Sequence, residues 1–487
     1  MALDLRPAVL RERDFRRFFI GYTTSLFGSS MASVALAFAV LETGGGGTEL
    51  GLVLAARILP LVLVLLAGGV LTDRWGSRQV MLAADVTRCL TQAGLALTLL
   101  GGDPHMATLI ALVVVWGAAE ALFTPALDAL VPRIVPGDAL SDGNALLGVA
   151  RSAASIAGPA IAGVLTAVAG ASAVLAVDAV SYGVSVVALL LLPRTVRAAG
   201  PASSFAAELR EGWTEFRSRT WLWVTSVHVC LFNLFVWAPF LVLGPLVAQR
   251  NLGGPTSWGL VMALYGAGAV AGGVAMLGRR PRRPLFVGTA ATLGWAMPSA
   301  ALATGLPLPW ICAAALAAGV GSAVCGTLYA TATQSQVPPG ALARVSAYGT
   351  FGAFALGPVG LAAAGPVSVL FGVAGVLGFG AVWQLAAVAL VLTLPAVRAA
   401  LPRPGTAAPA PGPRRGTGRG QPLPLVLSPA GPGRPRRRRS RSRRSSLPAR
   451  RRGRRAAPGP GDEAVEGDRD VPGRRIRMRL PSTCGNR

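Results

Sequence analysis

An all-α membrane protein of twelve transmembrane helices, arranged as two six-helix bundles and followed by a disordered C-terminal tail, is the fold this sequence predicts. Three observations predict it. Only 14% of the 487 residues are charged and 52% are hydrophobic, whereas a soluble domain carries about a quarter charged residues. The hydrophobic residues fall in repeated runs of the ~20 residues a helix needs to cross a ~30 Å hydrocarbon core. The charge is also displaced: all 46 basic residues are arginine, and 23 of them follow residue 400.

The runs are predicted at 18 to 43, 50 to 72, 80 to 100, 106 to 127, 143 to 168, 172 to 192, 221 to 248, 257 to 277, 285 to 304, 309 to 331, 346 to 364 and 367 to 394. The basic leader RPAVLRERDFRR precedes the first. That run is too long for a signal-peptide core and has no convincing cleavage site, so residues 1–17 read as a retained cytoplasmic leader. The N-terminal bundle is assigned to 18–193 and the C-terminal bundle to 221–394.

Orientation follows from arginine, which concentrates in cytoplasmic loops. With the amino terminus inside, the leader and the segments 73–79, 128–142, 194–219, 278–284 and 332–345 hold eighteen arginines, against Arg250 alone in the opposite loops. Twelve spans then place both termini in the cytoplasm of a multi-pass protein of the cell membrane. Between the bundles, 194–220 carries Phe205, Leu209, Trp213 and Phe216 at helical spacing beside Glu208, Arg210, Glu211 and Glu215. This reads as an amphipathic linker helix on the inner membrane face.

The halves resemble each other. VPGDALSDGNA at 135–145 has a counterpart, VPPGALARVSA, at 337–347, and each precedes a helix with a Gly-Pro pair, Gly158-Pro159 and Gly357-Pro358. A six-plus-six duplication places a substrate site between the halves near the midplane. The tail, 395–487, is rich in Arg, Pro, Gly and Ala and cannot bury a core. Three readings of it stay open: a solvated extension, a polybasic strip for anionic lipid or nonspecific nucleic acid contact, and an out-of-frame reading of GC-rich DNA. No function is assigned to it.

Composition also excludes chemistry. Without lysine there is no P-loop, so ATP-driven transport requires a partner chain. The five cysteines, 89, 230, 312, 325 and 484, are odd in number and fall mostly in apolar runs, where a packing role is expected rather than a disulfide framework. His105 and His228 are isolated, so neither a metal site nor a nucleophile constellation can be assembled. The chain is not read as an enzyme, and no cofactor is expected.

The loop after the second span reads GGVLTDRWGSRQ, and Gly69, Asp73, Arg74, Gly76 and Arg78 match the G-x-x-x-D-R-x-G-x-R signature of the major facilitator superfamily. Longer stretches, ARILPLVLVLLAGGVLTDRWGSRQVMLAADVTR, FTPALDALVPRIVPGDALSDGNALLGVARSAASIAGPAIAGVL and AVDAVSYGVSVVALLLLP, resemble its branch of enterobactin exporter-like and actinobacterial drug efflux proteins. The resemblance covers roughly residues 10 to 395. It implies the major facilitator fold, with the Asp73 motif as a gate locking helix ends through charge-assisted bonds. The equivalent second-half loop, GGVAMLGRRPRRP, has Leu277 or Gly278 in the place of Asp73. Gly158, Pro159 and Gly163 resemble the antiporter G-P-x-x-G-G motif with Ala162 replacing a glycine; tight helix packing explains the same residues.

Ionisable residues within a bilayer need partners or a watery cavity. Arg57, Asp85, Arg88, Glu120, Arg151 and Asp178 fall in predicted spans. The resemblance puts Glu120 on a span lining the central cavity, which makes it the candidate for proton coupling, with Arg57 or Arg151 as its partner. Asp85 and Arg88 are placed on one helical face as an intrahelical pair, and Asp178 is assigned a structural pairing. Tyr22, Ser25, Asn233, Trp237, Thr327 and Tyr329 are the candidate cavity lining, a mixture suited to a partly polar, moderately apolar molecule.

The expected function is proton-coupled efflux of a drug-like or siderophore-like small molecule by alternating access. The partners expected are that substrate, protons and the lipid bilayer, in a monomer without specific nucleic acid. An importer or facilitator of the same fold is the alternative within transport, and a nontransporting scaffold or sensor the alternative outside it.

Overall fold

The computed structural model describes residues 8–102, 104–135, 139–193, 205–279 and 281–398, and every regular element among them is helical. In the first half these are α1 (Arg13–Glu42), α2 (Gly47–Trp75), α3 (Ser77–Leu100), α4 (Met106–Ile134) and α5 (Leu140–Leu190). The linker forms α6 (Phe205–Ser218). The second half contains α7 (Thr220–Phe232), α8 (Ala238–Asn251), α9 (Pro255–Met276), α10 (Pro284–Ala291), α11 (Ala296–Ala303), α12 (Leu308–Gln336), α13 (Pro339–Phe354), α14 (Gly357–Thr393) and a closing turn, α15 (Pro395–Arg398). Nine helical stretches among the described residues are long and apolar enough to cross a membrane.

Two of those stretches, Asp142–Leu190 and Val345–Thr393, are 49 residues long, far beyond the ~20 that one crossing needs. Each is broken by a glycine in a conformation that L side chains rarely adopt: Gly170 at φ 81°, ψ 164° and Gly372 at φ 74°, ψ 153°. Gly170 separates the expected fifth and sixth spans as anticipated. The later break is displaced from expectation. The hydropathy pattern predicts it at Gly365-Pro366, but Pro366 lies inside α14 and the helix runs on to Gly372. Gly365 is instead a packing position, with the backbone of Gly47 and Thr48 occupying the space a Cβ would fill.

Cross-chain packing differs between the two ends of the molecule. One core draws on both halves: Val40 and Leu50 of the first pack in one cluster with Leu243, Trp258 and Leu361 of the second. These residues flank the arginine-poor connections. At the arginine-rich end the clusters divide by half. Phe15, Met81, Leu130 and Leu192 belong to one, and Leu285, Val391, Leu222 and Val345 to two smaller ones. Where the halves join, α5 meets α9 backbone to backbone: a Cβ on Gly163 would lie 2.7 Å from the Pro255 carbonyl oxygen, and one on Gly259 would lie 2.4 Å from that of Pro159. Small residues permit this approach, which maximises dispersion contacts where no hydrophobic effect drives helices together.

The linker helix α6 docks on the second half. Phe216 is buried, and its ring and that of Trp213 lie 6.1 and 5.5 Å from Tyr348 of α13. The side chains of Phe205 and Leu209 lie outside the described residues, as does the structure of the tail beyond Arg398.

Candidate functional site

The polar core of the first half is assembled by a close helix crossing. A Cβ at Gly117 would sit 2.1 Å from the Arg57 carbonyl oxygen, so α4 and α2 touch there, and Glu120 lies one turn further along α4. Arg57 Nε donates to Glu120 Oε2 at 3.1 Å, and Nη2 donates to Oε1 and Oε2 at 3.2 and 3.0 Å. The remaining nitrogen, Nη1, donates to Ser33 Oγ of α1 at 2.9 Å. The guanidinium lies 3.9 Å over the ring of Trp116, so fork, hydroxyl and π face together fix it. Of the two partners left open by the sequence, Glu120 takes Arg57. Arg151 goes elsewhere, its Nε donating to Tyr22 OH at 2.8 Å.

Trp116 also connects this pair to a directional chain of hydrogen bonds. Its Nε1 donates to Tyr182 OH at 3.3 Å, Tyr182 shares a 2.8 Å bond with Ser29, and Ser29 donates to the Ser25 carbonyl at 2.7 Å. Because the Ser29 proton is committed to that carbonyl, Tyr182 is the donor to Ser29. Tyr22 and Ser25, expected to line a cavity, are buried in this bundle, with Tyr22 stacked between Phe18 and Phe123.

Asp85, Glu120 and Asp178, the acidic residues of this polar core, therefore differ in kind. Asp85 pairs with Arg88 on the same helix, as the spacing predicts, and accepts a 2.6 Å bond from Ser185. Glu120 has Arg57. Asp178, expected to have a structural pairing, has no ion pair among the described residues. Ser181 offers it a long bond of 3.2 Å to Oδ1, and Oδ2 has no partner among the described residues.

The motif expected to gate is described only in part. Gly76 starts α3 at φ 85°; Gly69 lies within α2, and the side chains of Asp73 and Arg74 lie outside the described residues. Arg78 is buried and caps the end of α5, donating from Nε to Leu189 O at 2.8 Å and from Nη2 to Leu190 O at 3.1 Å. Charged hydrogen bonds of this type contribute about 1.5–3 kcal/mol each. Arg78→Ala is therefore expected to destabilise the first bundle by about 2 kcal/mol or more, read as a lowered thermal midpoint in detergent. An unchanged midpoint would show that the two bonds contribute little.

In the second half a cavity of about 660 Å³ opens among α7, α9, α10, α12 and α13, a size suited to a drug-like molecule. Of the residues proposed as cavity lining, Asn233, Trp237 and Tyr329 line this second-half cavity, whereas Thr327 is exposed and is not part of its wall. Its floor is aromatic: Trp295 lies edge-on to Trp237 at 4.7 Å, 5.1 Å from Tyr265, and donates from Nε1 to Ser322 at 2.6 Å. The side chain of His228 also lines it, with Nε2 unpartnered. Among the described lining residues there is no carboxylate and no arginine.

Asn233 opens a π-helical turn, Asn233–Trp237, between α7 and α8. Such turns are rare and recur at functional sites. The Asn233 amide donates to Val229 O at 3.0 Å and to Ala353 O at 3.1 Å, so it ties the turn to the α13 residue just before the interruption between α13 and α14. Gly158 of the antiporter-like motif packs against Ser30, where a Cβ would be 2.4 Å from the serine Cβ, and Gly163 belongs to the α5 and α9 crossing.

Comparisons with known proteins agree with this architecture. The sequence profile of the Major Facilitator Superfamily matches residues 18–361. The chain is 28% identical over 357 residues to the multidrug efflux pump Tap of Mycobacterium tuberculosis (strain ATCC 25618 / H37Rv), covering 70% of this chain and 84% of that protein. It is 26% identical over 283 residues to macrolide efflux protein A of Streptococcus pyogenes, covering 56% of this chain and 69% of that one. Among solved structures, the nucleoside transporter NupG superposes with a TM-score of 0.63 at 12% identity, covering 78% of this chain and 98% of that one. A bacterial homologue of the human lysosomal transporter Spinster, solved inward-facing and unoccupied, gives 0.59 at 15% identity, with 80% and 98% covered. A helical membrane chain with these relatives and this fold belongs to the major facilitator superfamily, a family of multi-pass membrane transporters rather than enzymes.

Proposed function

We propose that this chain is a proton-coupled exporter of drug-like or siderophore-like compounds, working by alternating access as a monomer of the cell membrane. The observation that carries the reading is the asymmetry of packing. The halves share one core at the arginine-poor end and have separate cores at the arginine-rich end, and a cavity lined by aromatic and hydroxyl groups lies in the second half. With arginine-rich loops inside, this is a transporter open to the cytoplasm, the state in which an exporter loads. Twelve crossings, both termini cytoplasmic, account for the two 49-residue stretches, each broken at a glycine, together with the 29-residue α2. The bundles are then 18–193 and 221–394, joined by the 194–220 linker on the inner face.

The relatives named as drug and macrolide efflux proteins support the direction of transport. Within the first bundle, Arg57 and Glu120 form the coupling element: a proton on Glu120 removes one charge of the pair and frees Arg57 to move. Arg151 and Tyr22 bind α5 to α1, and the Asp73 motif holds the gate.

Deleting the gene is expected to raise the intracellular level of a transported compound several-fold, measured with a labelled panel that includes a macrolide and a siderophore. Collapsing the proton gradient should remove the difference between the deletion and parental strains. A fall in accumulation on deletion would identify an importer, and no change for any compound would favour a nontransporting role. A difference that persists without the gradient would eliminate proton coupling.

A further inference from the structure

Beside Arg57 and Arg88 in the first bundle lie three carboxyl groups, Asp85, Glu120 and Asp178, and the geometry assigns the odd one out. Glu120 is held by Arg57, and Asp85 by Arg88 and Ser185. Asp178 is 0% exposed. It lies on the second arm of α5, beyond Gly170, against α1, whose Gly28 comes so close that a Cβ there would be 2.4 Å from Asp178 Oδ1. Its one donor is Ser181, whose hydroxyl already donates to the Asp178 carbonyl oxygen at 2.7 Å and reaches Oδ1 at 3.2 Å. Among the described residues, Oδ2 has no hydrogen-bond partner.

An ionised carboxylate accepts through about four lone-pair positions, and an uncompensated charge in a medium without water is the least tolerable state a side chain can take. A neutral acid leaves at most one O–H unpaired, a far smaller penalty. Among the described residues, the charged and titratable groups that act on Asp178 are Arg88 and Cys89 from α3, Glu120 from α4, Arg57 from α2 and Tyr182 from its own helix; α1 presents Gly28. Both arginines act on Asp178 through space without touching it, because each is already engaged by another carboxylate.

We propose that Asp178 is a proton-binding site of the first bundle, loaded in this conformation, while Glu120 is the unloaded site. The inference rests on the proton-coupled reading of the transporter for its role in the cycle, but the occupancy of the site does not depend on it. Asp178 and the Arg57–Glu120 pair are linked by groups that would feel a change in either. Arg88 lies 4.6 Å over the ring of Tyr182, the hydroxyl of Tyr182 accepts from Trp116, and Trp116 lies beneath Arg57. If Arg57 leaves Glu120 when the bundles rearrange, it becomes available to the other carboxyl groups of this core, and Asp178 can then release its proton.

Infrared spectroscopy of the purified full chain at neutral pH tests occupancy without any substrate. A carbonyl stretch of a protonated carboxyl, shifted by exchange into D₂O, is expected in the wild type, lost in Asp178→Asn and retained in Asp85→Asn. Should the asparagine variant fail to insert, Asp178→Glu is expected to move the band in frequency rather than abolish it. Loss of no band in Asp178→Asn, or an unshifted band in Asp178→Glu, would overturn the proposal. In proteoliposomes with an imposed pH gradient, Asp178→Asn is expected to lower gradient-driven accumulation of a labelled macrolide at least tenfold while preserving its exchange at equal pH. Full accumulation by Asp178→Asn would make the group a structural acid and remove its place in the cycle. A wild type that shows the infrared band but moves no compound with the gradient would instead refute the proton-coupled reading and leave the site intact.

Discussion

Glu120→Gln is expected to abolish the pH dependence of export while the protein still inserts and folds. Glutamine preserves the size of the side chain and one acceptor oxygen, so Arg57 retains its stack on Trp116 and its bond to Ser33. What disappears is the charge and half of the fork. Hydrogen bonds to charged groups contribute about 1.5–3 kcal/mol, and the Glu120 side chain is 31% exposed, so solvent screening places the loss toward the low end. A change of one to two kcal/mol alters a two-state equilibrium by a factor of about 5–30. The permanently neutral variant should therefore favour whichever conformation the protonated pair favours, and proton supply should no longer matter. Transport into inverted vesicles across a pH series measures this. Arg57→Lys makes a useful companion, because lysine supplies charge without the planar fork, and it should preserve some coupling. Wild-type pH dependence in Glu120→Gln would remove the pair from the mechanism.

How much of this site could be read from the sequence depends on the range of each interaction. The Asp85–Arg88 pair was legible because three residues along one helix bring side chains together whatever the tertiary fold. Arg57 and Glu120 were recognisable as ions in apolar runs, but the choice between Arg57 and Arg151 for Glu120 depended on which helices cross at Gly117, a tertiary fact. Asp178 shows the converse error. An acid in a span invites the assumption of a partner, and the structure shows both nearby arginines committed to other carboxylates. The π turn at Asn233 and the inward position of His228 left no periodic signal, because a single inserted residue shifts the face of a helix without changing its composition. The apolar helical stretches were legible from hydropathy, whereas the final break was not: Gly365-Pro366 imitated a loop but serves a helix crossing.

The other large effect is expected at the joined end of the bundles. Gly259→Val adds a branched side chain where the Pro159 carbonyl oxygen would be 2.4 Å and the Gly163 Cα 2.9 Å from the new Cβ. Both are backbone atoms, so no rotamer change can relieve the contact, and α5 and α9 must separate. Overpacking of this type costs about 1–3 kcal/mol, and because the contact exists only where the halves join, the cost falls on this conformation and not on one open at the other end. The same energy corresponds to a shift in the conformational equilibrium of about 5–150-fold. Spin labels at Trp75 and Leu277, both exposed at the arginine-rich end, report the outcome in a background lacking the native cysteines. Gly259→Val should shift their distance distribution toward shorter separations, as the separate cores at that end come together. Gly148→Val is the control, since a Cβ at Gly148 meets nothing within 4 Å, and it should leave the distribution unchanged. If Gly259→Val also left it unchanged, with the protein folded, the α5 and α9 crossing would not be what holds this conformation, and the rocking of two bundles about that contact would have to be abandoned.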